Sequence, residues 1–142
     1  MIKEDTLSSY RVIDANLNRL KEGIRVVEDI FRYIFNDSEI GYKLKEIRHL
    51  SKVDNYNQII KTRDSINDCL KPSTKSEFKR ESIEQIVIAN FKRAQESARV
   101  LEEIYKMIEP NEAEKFKTIR YKIYNLEKET LLKLEKLNIK EA

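Results

Sequence analysis

ANLNRLKEGIRVVEDIFRYI at residues 15–34 and ANFKRAQESARVLEEIYKMI at residues 89–108 are two copies of one segment. Asn16, Arg19, Glu22, Arg25, Val26, Glu28 and Ile30 return as Asn90, Arg93, Glu96, Arg99, Val100, Glu102 and Ile104, all at the offset that separates Asn16 from Asn90. The echo continues downstream, where Lys45, Ile47 and Arg48 of LKEIRH match Lys117, Ile119 and Arg120 of FKTIRY. The doubled unit is therefore a helical hairpin. At about 100° per residue, Ile13, Leu17, Leu20, Ile24, Val27, Ile30, Phe31 and Ile34 fall on one wide arc, the recurrence of an amphipathic helix with one buried face.

Outward from this repeat, the helix signals place helix one from about Thr6, as N-cap, to Phe35, with Asn36, Asp37 and Ser38 as its stop. Helix two is expected from about Glu39 to Tyr56. Helix three spans about Ser82 to Ile108, broken by Glu109, Pro110 and Asn111. Helix four runs from about Glu112 to Leu137 and carries Phe116, Ile119, Ile123, Leu126, Leu131, Leu134 and Leu137 at helical spacing. Residues 57–81, rich in Asp, Asn and Ser with Pro72, read as an irregular connection with room for one short helix. Connections of that length in small domains usually carry function.

The pattern predicts an all-α fold: a helical bundle of four long helices built from two repeated helical hairpins (about 10–56 and 82–137), in a single helical domain over 1–142 with a pseudo-twofold relation. Composition agrees. The chain has 142 residues, 37% of them charged, with two glycines and two prolines, too few turn formers for a sandwich, barrel or doubly wound sheet.

The same counts bound the function. Gly23 and Gly41 cannot make a Walker loop or a dinucleotide fingerprint, so any phosphate must be held by side chains. Net charge is +3 with the signs interleaved, which argues against nucleic acid or membrane as partner. A lone Cys69 and a lone His49 exclude a disulfide framework and a structural zinc site. With no apolar run of membrane length and no secretory signature in residues 1–10, a cytoplasmic protein is expected. Charged helices with an apolar face are also compatible with a homo-oligomer.

The polar residues that interrupt the apolar arcs point to a site. Asn16 and Asn90 lie within the arcs, Arg19 and Arg93 on their shoulders, and Arg48 and Arg120 at the border of the following helix. A buried guanidinium costs several kcal/mol unless an anion or carboxylate satisfies it, and Glu22 and Glu96 are the nearest internal candidates. One reading is a structural ion-pair network, one per half, fixing register. The sharper one is a bound anion, because Arg19, Arg25 and Arg48, repeated as Arg93, Arg99 and Arg120, have rigid forks suited to phosphate oxygens. The connection adds Arg63, Asp64 and Asp68 in TRDSIND. On a helical turn the two carboxylates would face one way, and two carboxylates plus phosphate oxygens suffice for Mg²⁺. The plain alternative is a capping Asp beside a solvated Asp. His49 reads as surface, Cys69 as a small buried hydrophobe, and the seven tyrosines as core edge.

Together, RVIDANLNRLKEGIRVVEDIFRYI, LKEIRH, TRDSIND, IANFKRAQESARVLEEIYKMI and RYKIYNLEKE resemble the helical hydroxymethylpyrimidine phosphate kinase family of thiamine biosynthesis, found alone or fused ahead of thiamine phosphate synthase. The resemblance covers roughly residues 10 to 130. It implies ATP-dependent phosphorylation of 4-amino-5-hydroxymethyl-2-methylpyrimidine phosphate to the diphosphate, with ATP and Mg²⁺ as cofactors and thiamine phosphate synthase as the consumer and a candidate partner. It also carries over Arg11, Asp14, Asn18, Asp29, Glu28 and Glu102 beside the residues named above. The expected roles are Asp64, Glu22 or Glu96 orienting the attacking hydroxyl, and Asn16, Arg19, Arg25, Arg48, Arg63, Asn90, Lys92, Arg93, Arg99 and Arg120 holding substrate and phosphate. Asp64 and Asp68 hold the metal. One departure stands out, since the family tends to have a glycine soon after the second aspartate of the connection and this chain has Cys69 and Leu70.

Two rivals remain open. A non-catalytic helical dimerisation or docking module associated with thiamine phosphate synthase would pair its polar face internally and bind no nucleotide. A helical chorismate-mutase-like enzyme would also grip a dianion with arginines, but explains neither the second copy nor the DANLNR and ANFKR wording.

Overall fold

The computed structural model describes residues 4–73 and 79–141. Among the described residues five α-helices follow one another: α1 (Glu4–Asp29), α2 (Ser38–Leu50), α3 (Tyr56–Ile60), α4 (Ile83–Ile108) and α5 (Pro110–Glu141). The all-α class expected from the repeat is what the chain adopts, with no strand among the described residues.

Helices α1 and α4, the two copies of the repeat, pack directly on each other. Gly23 permits the closest approach, because a Cβ there would lie 2.9 Å from the backbone oxygen of Asn90 and 3.6 Å from Ala94 Cβ. Tyr10, nearer the start of α1, lies within electrostatic reach of Tyr105 near the end of α4, so the pair is antiparallel. Helix α2 returns along α1 and α5 along α4, and α2 and α5 meet to close a four-helix ring. Lys43 to Glu129 and Lys133 to Asp37, both 2.8 Å, fasten that last contact. The apolar arcs fill the centre: Ile13, Leu17, Leu20, Ile24 and Val27 of α1, and Phe31 just beyond its end, are buried with Val87, Phe91, Ala94, Ala98 and Leu101 of α4 and Phe116, Ile119 and Ile123 of α5. Each of the Val, Leu, Ile and Phe side chains contributes about 1.5–3 kcal/mol by leaving water, and the alanines less.

Several boundaries differ from expectation, α5 included, which runs over Pro110–Glu141 rather than from Glu112 to Leu137. Thr6 lies inside α1 rather than capping it. The end of the first long helix widens into a π-turn over Ile30–Ile34, in which the Phe35 N–H donates to Ile30 O at 3.3 Å. That extra residue shifts the helical phase and turns Ile34 out of the apolar arc, leaving it 53% exposed. Asn36 then takes a left-handed φ of 52°, which Asn tolerates, and Asp37 caps α2 by accepting from the Ile40 N–H. Helix α2 stops at Leu50 instead of reaching Tyr56, because the buried Ser51 hydroxyl donates back to Ile47 O at 2.8 Å and the chain turns through Asp54 and Asn55. The short helix of the connection is α3, which buries Ile59 against α1. Residues 74–78 of the expected connection lie outside the described residues. Ser82 caps α4, accepting from the Gln85 N–H at 3.1 Å, and Pro110 occupies the first position of α5, where no N–H is required.

Candidate functional site in the first half

Where α2 ends early, the connection folds back over α1 and leaves an open cleft of about 730 Å³. Helix α1 supplies Arg11, Asp14, Asn16, Asn18 and Arg19, and the connection supplies Arg63, Asp64, Asn67, Asp68 and Cys69. A clamp holds the two walls together. The buried Asp14 carboxylate accepts two hydrogen bonds from Arg63, both 2.8 Å, and Arg63 also donates to the Tyr56 hydroxyl at 3.3 Å. The Asp14 carboxylate, then the Tyr56 hydroxyl, push the Arg63 guanidinium further toward its charged form. A second strut runs from Arg11 to Asp64 O at 3.2 Å.

The two aspartates of the connection stand on turns, not on a helix. Asp64 accepts from the Asn67 side chain at 2.8 Å and from its N–H at 3.1 Å, and these bonds, the side-chain one first, hold its carboxyl below the usual value. Asp68 accepts from the Leu70 N–H at 3.0 Å. Both carboxylates remain exposed. The helical turn expected to align them does not form, because each caps its own local turn. Among the described residues no three His, Cys, Asp or Glu side chains converge as a metal cage, so a cation here would take one or two carboxylates and complete its shell from phosphate and water.

The buried arginine network is duplicated, and its carboxylates are Glu28 and Glu102 rather than Glu22 and Glu96. Glu28 is buried beside Ile24 and Phe31 and accepts from Arg48 at 3.0 and 3.2 Å. Arg25 approaches it at 4.0 Å and Asp29 at 3.3 Å. In the second half, Glu102 receives Arg120 at 3.3 Å and Arg99 at 3.4 Å, and Arg99 reaches Glu103 at 3.2 Å. The structural-network reading thus describes the geometry of Arg25, Arg48, Arg99 and Arg120. Glu22 and Glu96 point to solvent instead, because three residues on from Arg19 or Arg93 a helix still presents its outer face.

Arg19 and Arg93 are exposed and, among the described residues, form no ion pair or side-chain hydrogen bond. Asn16 and Asn90 satisfy their amides on their own helices, donating to Val12 O at 2.9 Å and Ile86 O at 2.8 Å. The halves then part company. Asn16 and Arg19 line the cleft, whereas Asn90, Lys92, Arg93 and Glu96 lie outside it. Lys92 is engaged by Glu127 of α5 at 3.1 Å, and Gln95 donates to the same carboxylate at 3.0 Å. Cys69, expected buried, is exposed on the rim of the cleft. His49 is exposed as expected, and among the tyrosines Tyr10 and Tyr105 are buried while Tyr33, Tyr42 and Tyr121 are exposed. Sequence reasoning took Asp14 only as a matched position and missed it as the anchor of the cleft. Its signal was in the repeat, since the apolar Ile88 stands at the equivalent place in the second copy.

Comparison with known proteins adds the following. The profile of the ThiD2 family matches residues 11–129. The thiamine-phosphate synthase of Nostoc punctiforme is 36% identical over 122 residues, covering 83% of this chain and 34% of the relative. That of Synechococcus sp. (strain CC9605) is 40% identical over 120 residues, covering 82% and 34%. That of Rhodopirellula baltica is 34% identical over 143 residues, covering 97% and 38%. The chain therefore spans about a third of the length of the curated relatives it matches. No solved structure matches.

Proposed function

Because the chain belongs to the ThiD2 family, we propose that it acts in thiamine biosynthesis, as the helical module that hands thiamine phosphate synthase its pyrimidine diphosphate by phosphorylating 4-amino-5-hydroxymethyl-2-methylpyrimidine phosphate with ATP. The observation that carries this reading is the cleft, where the unpaired Arg19 faces exposed Asp64 and Asp68 across an opening of about 730 Å³. That is the volume range of small-molecule sites. Phosphoryl transfer asks a protein mainly for positioning and charge neutralisation. Arg11 and Arg19 would meet phosphate oxygens, with Arg63 contributing its remaining donors while Asp14 fixes its plane. Asn16 and Asn18 would orient the pyrimidine through their amides. Mg²⁺ held by Asp64 or Asp68 would neutralise the nucleotide's phosphates. The hydroxymethyl oxygen of the monophosphate is already esterified, so the attacking atom is an oxygen of its phosphate group rather than the hydroxyl expected from the sequence; it would displace ADP from the γ-phosphorus, aligned by Arg11 and Arg19.

A second reading is favoured by a separate observation. The relatives are named for thiamine-phosphate synthesis alone and carry the matching region as about a third of a longer chain, which speaks more directly for a non-catalytic module that docks on or assembles thiamine phosphate synthase. The two readings separate in one assay. Purified chain, ATP, Mg²⁺ and the pyrimidine monophosphate should yield the diphosphate by mass spectrometry, and Arg19→Ala should abolish turnover with helical content unchanged. No product and no thermal shift with Mg²⁺-ATP, together with faster turnover of thiamine phosphate synthase when the chain is added, would establish the second reading instead.

A further inference from the structure

The outer face of the α1–α4 pair carries a pattern that the folded chain does not use. Ala15, Arg19, Glu22 and Val26 on α1 are repeated identically as Ala89, Arg93, Glu96 and Val100 on α4. The four charged side chains are exposed and, among the described residues, make no ion pair or side-chain hydrogen bond. The two valines, 38% and 36% exposed, flank them. Exposed positions of a duplicated helix have no packing reason to stay alike, so an identical outer face on both copies asks for a partner that meets both.

The arrangement of the charges specifies which partner. Gly23 abuts Asn90 and Ala94, and the repeat makes Ser97 the counterpart of Gly23 with Asn16 and Leu20 the counterparts of Asn90 and Ala94. The pseudo-twofold axis therefore passes between the two helices, level with Leu20 and Lys21 on α1 and with Ala94 and Gln95 on α4. Arg19 and Glu22 stand at equal distances on either side of that level, and so do Arg93 and Glu96. A second copy turned by a twofold axis lying in this face thus sets every arginine opposite a glutamate. With the axis across the helices, Arg19 meets Glu22 of the second copy. With the axis along them, it meets Glu96 of the second copy. The patch is complementary to itself, which is the requirement of an isologous contact, and four arginine–glutamate pairs flanked by small apolar side chains would form at once.

We infer that this face is the interface of a homodimer, held by arginine–glutamate pairs between the α1–α4 layers of two copies. Val12, Ala15 and Arg19 belong both to this face and to the wall of the cleft, so the second copy borders the opening of each cleft. Arg19 is shared with the cleft, whereas Glu22, Arg93 and Glu96 lie outside it, so the inference is tested through Glu22 and Glu96, whose replacement leaves the cleft lining intact.

Sedimentation equilibrium of the full chain at low salt tests it. The wild type should be dimeric at high micromolar concentration, weakening as salt rises, because the pairs form partly in solvent. The double variant Glu22→Arg, Glu96→Arg places like charges opposite each other and should raise the dissociation constant on the order of 100-fold, since such juxtaposition costs several kcal/mol. Adding Arg19→Glu and Arg93→Glu to that variant reverses every pair and should restore the dimer, with circular dichroism confirming unchanged helical content throughout. A monomeric wild type, a dimer indifferent to the double variant, or a fourfold variant that stays dissociated would each overturn the inference.

Discussion

The clamp between Asp14 and Arg63 is the contact whose removal has the most calculable effect. Replacing Asp14 by Ala deletes two hydrogen bonds of 2.8 Å that fasten the connection to α1. Hydrogen bonds to charged groups contribute about 1.5–3 kcal/mol, and stripping one partner from a fully buried pair costs about 3–5 kcal/mol. The Asp14 side chain is 4% exposed but that of Arg63 is 38% exposed, so water takes over the orphaned guanidinium and the loss belongs near the low end, about 2 kcal/mol. For a domain of this size that is a drop of about 6–8 °C in melting temperature. Arg63→Ala leaves the buried carboxylate without its partner and should cost at least as much. The double variant should fall short of the sum by about 1 kcal/mol or more, as for any directly bonded pair. Urea denaturation followed by far-UV circular dichroism supplies all three values. A melting temperature for Asp14→Ala within about 1 °C of wild type, or additive single losses, would refute the clamp and with it the assignment of the cleft's second wall.

Gly23→Ala should destabilise by about 1 kcal/mol net, because forcing α1 from the Asn90 carbonyl costs about 1–3 kcal/mol against about 1 kcal/mol gained in helix propensity; a rise in melting temperature would mean the helices are not in close contact there. The Tyr105 hydroxyl is buried without a hydrogen-bond partner among the described residues, so Tyr105→Phe should stabilise by about 1 kcal/mol in denaturant titrations. Burial first, then Glu112 and Glu109, raise the ionisation of Tyr105 above its ordinary value of 10.0. The unfolded chain therefore loses that proton first, and the stability linked to it is full below about pH 10 and falls as pH rises through the folded value. An ultraviolet titration should show one tyrosine ionising late, and the Phe variant should lack that step. Cys69, exposed at the cleft rim, should be alkylated stoichiometrically in the native protein, and Mg²⁺-ATP or the pyrimidine monophosphate should slow that reaction if either occupies the cleft.

The bundle was legible because its signal is both periodic and repeated: Leu17, Leu20 and Ile24 on one copy and Phe91, Ala94 and Ala98 on the other define the same buried stripe. The π-turn was not, because nothing in IFRYI distinguishes five residues that continue an α-helix from five that widen it. The choice is made by the Asp37 N–H reaching Phe31 O at 2.8 Å as the chain enters α2. The end of α2 was hidden for a similar reason. Residues 39–56 keep a helical apolar rhythm through Val53, and only the Ser51 hydroxyl, competing for Ile47 O, shows why the helix stops. At the site, residue types were readable and pairings were not. A helical wheel sets Glu28 at the edge of the apolar arc and Glu22 on the far face, but only the fold shows that Arg48 of α2 is the partner Glu28 receives.

Among the described residues the second half has no counterpart of the cleft beside Asn16 and Arg19, because the two hairpins end differently. In the second half α5 runs on to Glu141, and its Glu127 meets Lys92 and Gln95, filling the place beside α4. In the first half the equivalent of Glu127 is Asn55, which follows the break at Ser51 and donates to the Tyr10 hydroxyl at 3.4 Å. Asn18 and Lys21, the counterparts of Lys92 and Gln95, thus face no carboxylate from a continuing helix: Asn18 lines the cleft and Lys21 rests over the Tyr56 ring at 5.8 Å. The chain freed by ending α2 early then brings Arg63 back to Asp14, a carboxylate at a position where the second copy keeps Ile88. A duplication supplied two equivalent sets of amides and arginines. Shortening one helix while lengthening the other left Asn16, Asn18 and Arg19 of one set facing a cavity, while in the other set Lys92 meets Glu127 of α5 and Arg93 stays on the outer face.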